Sequence, residues 1–469
     1  MTESTYDLAI IGGGPAGYVA GVRAAQRGGR CVVIERDALG GVCLNWGCIP
    51  SKSLIASAEA LRNIKRASQF GIEIQGEVRG DLAAMVEQKD KIVASLVKGV
   101  TGLLKAHKVD HLAGEAVIAG PGEIRVALSA GGEAEVRAAK ILIATGSRPA
   151  QIPAFPIDGE RIISSDQAVH LKELPGRILI VGAGAIGCEF ACLYRELGAE
   201  VEVVELLDRA LPLGDADVSR LIERELKKQK IKVHTGKKLV KVERSGGEMV
   251  AQIEGEEPLR ADMVLVSIGR AMNTDGLGLD AIGVALGRRG EVVVDGKMQT
   301  NVPGVYAAGD VIGGLLLAHV ASAEALVAVE NAMGGDVEMN YHGIPAGVFT
   351  HPEVGTVGLT EEEARGQGRE VRVGKFQMRT LGKAQAERAI AGEVKVIADA
   401  ESDALLGVHV VGAHAADLVH EAAVAMRSGL RASDLAAAVH THPTLSEAIM
   451  EAAHDVHGEA IHAPPRKGR

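Results

Sequence analysis

Short apolar runs that are followed at once by glycines recur along the chain and predict where its strands end. The first run, Leu8–Ile11, leads into a G-x-G-x-x-G motif, then a helical stretch and a second apolar run, Arg30–Ile34. Strand, glycine turn, helix and strand in this order predict a βαβ unit with parallel strands. The same order recurs from Arg177 onward, so the chain is predicted to contain this unit twice.

Each glycine of the motif has a mechanical reason. The first permits the sharp turn, the second lets the backbone approach a pyrophosphate, and the third lets helix and strand pack closely. In both copies an acidic residue stands eighteen residues past the last glycine, where it is placed to accept hydrogen bonds from a ribose. The copies consist of Gly12, Gly14, Gly17 and Glu35, and of Gly182, Gly184, Gly187 and Glu205. Two complete copies predict two dinucleotide sites for two different cofactors.

The acid of the second copy also bears on the choice of cofactor. A carboxylate at Glu205 binds the 2′-hydroxyl of NAD and repels the 2′-phosphate of NADP. No arginine occupies this position, although Arg209 is close by. NAD is therefore predicted over NADP at the second site.

Three further apolar runs end in glycine. Residues 141–149 (ILIATGSRP) and 263–271 (MVLVSIGRA) are each expected to be a strand that closes its own nucleotide domain. Residues 300–311 (TNVPGVYAAGDV) predict a strand that ends at Gly309 and Asp310. A carboxylate beside glycine at a strand end suits the binding of a sugar-like hydroxyl, so Asp310 is a candidate cofactor ligand.

Size and composition fit a soluble protein of about three domains. The chain has 469 residues, 47% hydrophobic and 24% charged, which is too long for one core. Aromatic residues make up only 2%, so the cores must be built from Ala, Val, Leu and Ile. The net charge of −10 argues against a nucleic-acid partner.

The sequence predicts a cytoplasmic protein without a membrane partner. Met1–Tyr6 is polar and lacks the features of a secretory signal. The most apolar segment, Ile178–Leu193, is interrupted by glycines and by Glu189, so it is not expected to cross a bilayer. Five cysteines in the whole chain do not make a disulfide scaffold and fit a reducing compartment.

Two cysteines, Cys43 and Cys48, stand four residues apart in the stretch GGVCLNWGCIPSK. In a reducing compartment such a pair favours a catalytic or metal-binding role over a structural disulfide. A short loop beside a helix start lowers a thiol pKa and favours the reactive thiolate. Zinc would need two further ligands, and the remaining cysteines, which are Cys31, Cys188 and Cys192, are interpreted as core residues. No metal site is therefore expected.

The segment HTHPTLSEA holds a candidate general base. Pro443 suits the first helical position and pushes His442 into an extended conformation just before the helix. Glu447, five residues on, is then predicted to reach the ring of His442, because helix side chains lean toward the N-terminus. An acid that orients a histidine is the arrangement used in general-base catalysis. In isolation, two helix-start histidines that satisfy backbone groups explain the segment about as well.

With these motifs in order, the chain resembles the flavoprotein disulfide reductases, and among them the dihydrolipoamide dehydrogenases most closely. The resemblance covers nearly the whole length. It rests on the first glycine motif at Gly12, CLNWGCIPSK at Cys43–Lys52, ATG at Ala144–Gly146, GAGAIGCE at Gly182–Glu189, SIGR at Ser267–Arg270, AAGD at Ala307–Asp310, Ala318-His319, and HTHPTLSEA at His440–Ala448.

The resemblance implies an α/β fold with two Rossmann-like dinucleotide-binding domains and a C-terminal α+β interface domain. Residues 1–149 would form the FAD domain, 150–275 the NAD domain, 276–345 a central segment that completes the FAD domain, and 346–469 the interface domain that pairs two subunits. The implied FAD-binding residues are Gly12, Gly14, Gly17, Glu35, Gly41, Thr145, Gly146, Asp310, Ala318 and His319. The implied NAD-binding residues are Gly182, Gly184, Ile186, Gly187, Glu205, Gly269 and Arg270.

The resemblance also implies the chemistry. Cys43 and Cys48 would form a disulfide that is reduced and re-formed in each turnover, with Cys43 facing the dithiol and Cys48 facing the flavin. Lys52 beside the flavin would pair with Glu189. His442, oriented by Glu447, would deprotonate dihydrolipoamide at Cys43 of the partner subunit in a homodimer. The implied partners are the lipoyl domains of 2-oxoacid dehydrogenase or glycine-cleavage complexes.

Two alternatives remain open from the sequence. One is a reductase of the same chemistry that acts on glutathione disulfide, trypanothione or mercury, and the other is a non-catalytic flavoprotein that acts as a redox sensor. The chain also departs from the family pattern: Val320 replaces a common lysine, Ala325 a common glycine and Met272 a common proline. The first two departures lie where the flavin pyrimidine edge is expected.

Overall fold

The N-terminal part of the protein is built on a mixed sheet. The structure is a computed structural model that describes residues 5–464. The first four residues of the polar start therefore lie outside the described residues. The strands of this part are β1 Thr5–Ile11, β2 Cys31–Glu35, β3 Asp110–Gly120, β4 Glu123–Leu128, β5 Glu133–Ile143 and β6 Ser147–Pro149. The helices are α1 Pro15–Gln26, α2 Gly41–Asn45, α3 Cys48–Lys65 and α4 Leu82–Ala106.

In this sheet β1 lies between β2 and β5, and all three are parallel. The start of β3 continues the parallel order beside β2. The far end of β3 turns into an antiparallel meander with β4 and the start of β5. The first strand begins at Thr5, earlier than the apolar run suggested, because Tyr6 is also buried and donates a hydrogen bond of 2.9 Å to Asp110.

The middle of the chain is built on a second, parallel sheet. The strands of this part of the chain are β7 Ile162–Ile163, β8 Arg177–Val181, β9 Glu200–Val204, β10 Lys232–His234, β11 Leu239–Ser245, β12 Glu248–Ile253, β13 Leu259–Ala261, β14 Met263–Val266 and β15 Arg270–Met272. Its helices are α5 Ser165–Ala168, α6 Ala185–Leu197 and α7 Ala216–Lys228. The order β10-β9-β8-β14-β7 is parallel, and β11, β12 and β13 form a small antiparallel sheet.

The two nucleotide-binding parts are joined by two chain crossings that pair with each other. The outgoing strand β6 and the returning strand β15 are antiparallel. The returning chain then contributes β16 Val305–Ala307, which extends the first sheet beside β5, and helix α8 Ala318–Ala332. The first sheet is therefore completed by residues from two distant parts of the sequence.

The C-terminal part is an antiparallel sheet covered by helices. Its strands, β17 Pro345–Val348, β18 Glu353–Gly358, β19 Val371–Gln377, β20 Glu393–Asp399 and β21 Leu405–Gly412, are ordered β17-β18-β21-β20-β19. Its helices are α9 Glu361–Gly366, α10 Gly382–Ala386, α11 Ala415–Arg427, α12 Ala432–Ala437 and α13 Glu447–Val456. Short 3-10 turns at Ala67–Phe70, Asp280–Ile282, Asp310–Ile312 and Met378–Thr380 complete the chain.

The cores consist almost wholly of Ala, Val, Leu, Ile and Met, as the low aromatic content predicted. The observed architecture is the predicted one of two nucleotide-binding α/β parts and a C-terminal α+β part. The exact domain limits remain predictions. Among residues 5–464, no helix is both long and apolar enough to span a bilayer.

Candidate functional site

The first glycine motif forms a tight turn between β1 and α1. Gly12 has φ +109°, and a Cβ there would lie 2.2 Å from the carbonyl oxygen of Ala144. A Cβ on Gly17 would lie 1.8 Å from the carbonyl oxygen of Gly12. A side chain at Gly12 would therefore collide with the backbone that follows β5, and one at Gly17 would force α1 away from the turn.

Space for a phosphate is left at the start of α1. Gly14 is the N-cap of α1, and a Cβ on it would meet only the Cα of Gly41, at 3.8 Å. Gly41 has φ +56°, and a Cβ there would lie 2.7 Å from the Cα of Gly14. Two bare glycines thus face each other beside the positive end of a helix, which fits a pyrophosphate.

Glu35 stands at the end of β2, next to the same turn. Its Oε2 accepts the Gly13 N–H at 2.6 Å, and its Oε1 accepts the Asp37 N–H at 2.7 Å. A cavity of about 300 Å³ is lined by Leu39, Thr101, Leu104, Lys105, Lys108, Val109, Asp110 and His111. No sequence motif marks this cavity, because its walls come from α4, from the start of β3 and from the connections beside them.

The second glycine motif repeats this geometry. A Cβ on Gly182 would lie 2.4 Å from the Ser267 carbonyl oxygen, whereas Gly184 has nothing within 4 Å of its Cβ position. The third glycine, Gly187, would place a Cβ 1.9 Å from the Gly182 carbonyl oxygen. Glu205 accepts the Ala183 N–H at 2.6 Å, as Glu35 accepts that of Gly13. Both predicted cradles therefore have the bare backbone and the buried or partly buried acid that a dinucleotide needs.

The remaining predicted NAD-binding residues divide into two groups. Ile186 is half-buried in the first turn of α6, next to the second glycine turn, and Gly269 follows β14 with φ +119°. Arg270 instead lies with the first-cofactor residues. Its Nε donates to Ser147 Oγ at 2.6 Å, and it approaches Asp310 Oδ2 at 3.7 Å. Its placement thus favours the first cofactor over the second.

Asp310 is held in a network that ties the two chain crossings together. Ser147 Oγ donates to its Oδ2, and Arg270 also donates to the Ser147 carbonyl oxygen at 2.8 Å. The neighbouring Thr145 donates to the Asn273 carbonyl oxygen at 2.7 Å. Thr145 and Gly146, predicted for FAD, are thus fixed by the returning chain.

A buried carboxylate that the sequence analysis missed supports the turn at Asp310. Glu324, in α8, accepts the Gly309 N–H and the Tyr341 hydroxyl, both at 2.8 Å. Burial raises the pKa of Glu324 to about 7, against the effect of these two donors. No motif marks Glu324, because its partner Gly309 is fifteen residues away.

The start of α8 carries the predicted Ala318 and His319. His319 Nε2 lies 2.8 Å from the Pro345 carbonyl oxygen, so the imidazole donates there. The two departures on this helix, Val320 and Ala325, are both buried. The side chain of a lysine at position 320 would therefore start in the interior, and its ammonium group would have to extend out of it.

The cysteine pair lies where the short helix α2 meets the longer helix α3. Cys43 is in α2 and Cys48 is the first residue of α3, and both are free thiols in this structure. Interaction with the Cys43 side chain, the charge of Lys52 and the N–H at the helix start together lower the pKa of Cys48, against desolvation and Glu189. The same pairing, together with burial, raises the pKa of Cys43. Cys48 is thus the sulfur of the reduced pair that becomes a thiolate more readily.

Lys52 lies one turn after Cys48 and is held across three parts of the protein. Its Nζ is 2.7 Å from Glu189 Oε2 in α6, and Glu189 Oε1 accepts the Phe349 N–H at 2.9 Å. The Lys52 ammonium also lies 4.5 Å from the centroid of the Phe349 ring. Glu189 thereby fixes the cation beside the cysteines.

This arrangement predicts opposite effects of two substitutions on the Cys48 thiol. Lys52→Met should raise the pH midpoint of thiolate formation by about one pH unit, because it removes a nearby positive charge. Glu189→Gln should lower that midpoint, because Glu189 acts to raise the pKa of Cys48. The measurement is the pH dependence of alkylation of the reduced protein.

Lys65→Met, at the exposed end of the same helix, is the matched control and should leave the midpoint unchanged. A shift of the pH midpoint in the same direction in both test variants would contradict the opposite roles of the two charges.

His442 and Glu447 meet, but the predicted helix geometry was wrong. Helix α13 begins at Glu447 and not at Pro443, because residues 441–446 form a loop closed by the Thr444 hydroxyl, which donates to the Thr441 carbonyl oxygen at 2.7 Å. His442 Nδ1 nevertheless lies 2.9 Å from Glu447 Oε1. Since Nδ1 must donate to the carboxylate, Nε2 remains available to a substrate.

Glu447 is an ionised acid in this pair. Although partial burial acts to raise its pKa, hydrogen bonds from the Thr444 N–H and from His442 hold that pKa below its usual value. The His442 side chain is 77% exposed. Within residues 5–464 no hydrogen bond joins His442 to Cys43 or Cys48.

The other cysteines are buried and separate from the pair. Cys31 Sγ lies 3.3 Å from the Gly21 carbonyl oxygen, and Cys188 Sγ lies 3.3 Å from that of Ala183. Burial raises the pKa of Cys188 and Cys192, and no cluster of three or more metal-ligating side chains occurs in the part of the chain that the structure describes.

Comparison with known proteins identifies the family. Residues 6–325 match the model of the pyridine nucleotide-disulphide oxidoreductases, and residues 344–453 match the dimerisation domain of the same family. The dihydrolipoyl dehydrogenase of Thermus scotoductus is 43% identical over 98% of this chain and 99% of its own. Dihydrolipoyl dehydrogenase 3 of Pseudomonas aeruginosa is 42% identical over 98% of this chain and 100% of its own.

Solved structures of flavoprotein disulfide reductases and related proteins are also similar to the structure of this chain. LpdA of Mycobacterium tuberculosis superposes with a TM-score of 0.89 at 31% identity, over 95% of this chain and 98% of its own. The flavoprotein disulfide reductase RclA of Escherichia coli superposes with a TM-score of 0.86 at 27% identity, over 96% of this chain and 99% of its own. The predicted fold class is confirmed. The chain belongs to the pyridine nucleotide-disulphide oxidoreductase family and carries its dimerisation domain.

Proposed function

We propose that this protein is a dihydrolipoyl dehydrogenase that oxidises protein-bound dihydrolipoamide and reduces NAD⁺. The observation that carries the proposal is the Cys43–Cys48 pair at the start of α3, with a thiolate at Cys48 beside the Lys52–Glu189 ion pair. The identity of more than 40% to two enzymes of that name over nearly their whole length supports the same substrate.

The chain's own side chains account for the thiol–disulfide steps. His442 takes a proton from one thiol of the substrate, and the resulting thiolate attacks Cys43 Sγ of the oxidised pair. The Cys43–Cys48 bond breaks, a substrate–Cys43 disulfide forms, and Cys48 leaves as a thiolate. The second substrate thiol then attacks the substrate sulfur that is bonded to Cys43, and its proton passes to Cys43, which is released as a thiol. The substrate leaves as a cyclic disulfide, and two electrons remain in the protein dithiol.

Two cofactors fit the residues described above. The first cradle, with Gly14, Gly41, Glu35 and Asp310, would hold FAD, and the second, with Gly184 and Glu205, would hold NAD. When bound, FAD would accept two electrons beside Cys48 and NAD⁺ would accept a hydride, which is redox chemistry that amino-acid side chains do not supply. Lys52 would lie beside the first cofactor, where its charge favours negative charge.

Glu205 predicts a preference for NAD over NADP. Its carboxylate accepts the backbone N–H groups of Ala183 and Leu207, and Arg209, the nearby arginine, is paired with Glu362 at 2.7 Å and 3.0 Å. Glu205→Gln should raise the KM for NAD roughly tenfold, because one of the two acceptors is lost. It should also reduce the NAD-over-NADP ratio of kcat/KM, because the charge that repels a 2′-phosphate is gone.

Steady-state kinetics with both coenzymes measure this ratio. Glu202→Gln, which lies three residues earlier, on β9, and is paired with Lys232 and His234, is the matched control and should keep the wild-type ratio. An unchanged ratio in the Glu205 variant would contradict the assignment of Glu205 to the ribose.

A complete site is proposed to need two subunits. The dimerisation domain supports a homodimer, and His442 is exposed at its surface. In this proposal His442 serves Cys43 of the partner subunit, and a lipoyl domain of a 2-oxoacid dehydrogenase or glycine-cleavage complex delivers the dithiol between the subunits. A cytoplasmic location is proposed from the sparse cysteine content and from such complexes as partners.

The function is tested by comparing two assays on the purified, flavin-loaded protein. Reduction of NAD⁺ by dihydrolipoamide should be far faster than oxidation of NADPH by glutathione disulfide. The reverse ranking would favour a glutathione-type reductase of the same family.

A further inference from the structure

The loop that carries His442 projects from the surface. Residues 438–446 connect α12 with α13, and on this loop Val439 is 99% exposed and the His442 side chain 77%. The pair with Glu447 ties His442 only to the start of the helix that follows. A further contact must therefore hold the part of the loop that precedes His442 if His442 is to act at a defined place.

His440 is the side chain that ties this loop to the rest of the domain. Its side chain is only 6% exposed, in contrast to its neighbours. Its Nε2 lies 2.7 Å from Glu421 Oε1 in α11, and its Nδ1 lies 2.8 Å from the Ala438 carbonyl oxygen. Among residues 5–464, this contact with Glu421 is the one side-chain hydrogen bond from the loop to an element other than α12 and α13.

Both partners of the His440 ring accept hydrogen bonds. A carbonyl oxygen has no proton to give, and an ionised carboxylate has none either. The contacts at its two ring nitrogens hold the His440 ring between the backbone of the loop and helix α11. The contact with Glu421 thereby joins the loop to a helix of 13 residues.

We propose that His440 and Glu421 are positioning residues that hold the His442 loop in the geometry for proton transfer. This inference rests on the proposed function, since it assumes that His442 is the base. Neither residue needs to touch the substrate. The effect is expected in the dithiol half of the reaction alone, because the coenzyme half does not use His442.

The test uses the flavin-loaded dimer with three variants. Glu421→Ala should lower kcat/KM for dihydrolipoamide roughly tenfold to a hundredfold, because small misplacements of a catalytic group have effects of this size. Glu421→Gln, whose amide oxygen still accepts the His440 Nε2–H, should recover most of that loss. His442→Gln provides the effect of losing the base itself.

Two measurements separate positioning from general damage. Reduction of ferricyanide by NADH, which does not require the base, should be unchanged in every variant, and so should the amount of bound flavin. Glu401→Ala, an exposed acid in the turn after β20, is the matched control.

The outcomes distinguish the inference from the function beneath it. Wild-type dithiol oxidation in Glu421→Ala, with loss in His442→Gln, would overturn the positioning role alone. Equal loss of dithiol oxidation and ferricyanide reduction, or loss of bound flavin, would also overturn it, because the contact would then be structural. Normal dithiol oxidation in His442→Gln would overturn the proposed function together with this inference.

Discussion

Cys43→Ser is expected to abolish the reduction of NAD⁺ by dihydrolipoamide, with a fall in kcat of roughly 10⁴-fold or more. The reason is that a serine hydroxyl cannot form the mixed disulfide through which the dithiol passes its electrons. Bound flavin should be retained, because Cys43 contributes no contact to either glycine cradle. The measurement is steady-state kinetics alongside the flavin content of the purified variant.

Cys31→Ser is the matched control, since Cys31 is buried at the start of β2 and its contact with the Gly21 carbonyl oxygen can be kept by a hydroxyl. It should leave turnover unchanged. Full activity in Cys43→Ser would contradict the account, because the pair would then be incidental and the protein would fit the non-catalytic alternative.

His442→Gln is expected to lower kcat/KM for dihydrolipoamide by roughly 10²- to 10⁴-fold, the usual contribution of a general base. A glutamine side chain can fit at this position of the loop, but it cannot take a proton from the substrate thiol. Because a substrate thiolate needs no base, the loss should shrink as pH rises toward the pKa of the dithiol. The pH profile of kcat/KM measures this recovery.

The exposed His420, on α11, offers a matched control, since His420→Gln removes an imidazole from the same domain without touching the loop. That variant should behave as wild type. A fall of the same size in His442→Gln at every pH would contradict the role of a proton acceptor.

Local patterns in the sequence were enough to predict the two cradles. Gly17 and Gly187 are required because strand, turn and helix lie within one short stretch of chain, where spacing alone fixes their contacts. Gly12 and Gly182 are followed by the sharp turn that the motif predicts, although the backbone that each one meets comes from a distant strand end. The acids Glu35 and Glu205 lie at the ends of the next strands, as the eighteen-residue spacing indicated. The pairing of Lys52 with Glu189, by contrast, came from the family resemblance and not from any local pattern.

Features that join distant segments could not be predicted in this way. Arg270 lies against Asp310 because β15 pairs with β6, and that pairing joins residues more than a hundred positions apart. The cavity between α4 and the start of β3 has walls from separate elements, and Glu324 supports Gly309 from another element.

The His442 loop was also beyond local reasoning. Proline after histidine suggested a helix start, but the hydrogen bonds of Thr444 close a loop and delay the helix to Glu447. The contact between His442 and Glu447 was predicted correctly from the wrong geometry, because the loop folds the histidine back over the first residue of the helix.

Electrons are expected to enter through the Cys43–Cys48 pair. Its reduction should convert Cys48 into a thiolate in contact with the first cofactor. The most direct test is the absorption spectrum of the flavin-loaded protein during titration with a dithiol. The account predicts a long-wavelength thiolate–flavin band at two electrons per subunit. That band should weaken as the pH is lowered, because the Cys48 thiolate, whose pKa lies below that of an ordinary thiol, then takes up a proton. Bleaching of the flavin without such a band, or a protein that binds no flavin, would contradict it.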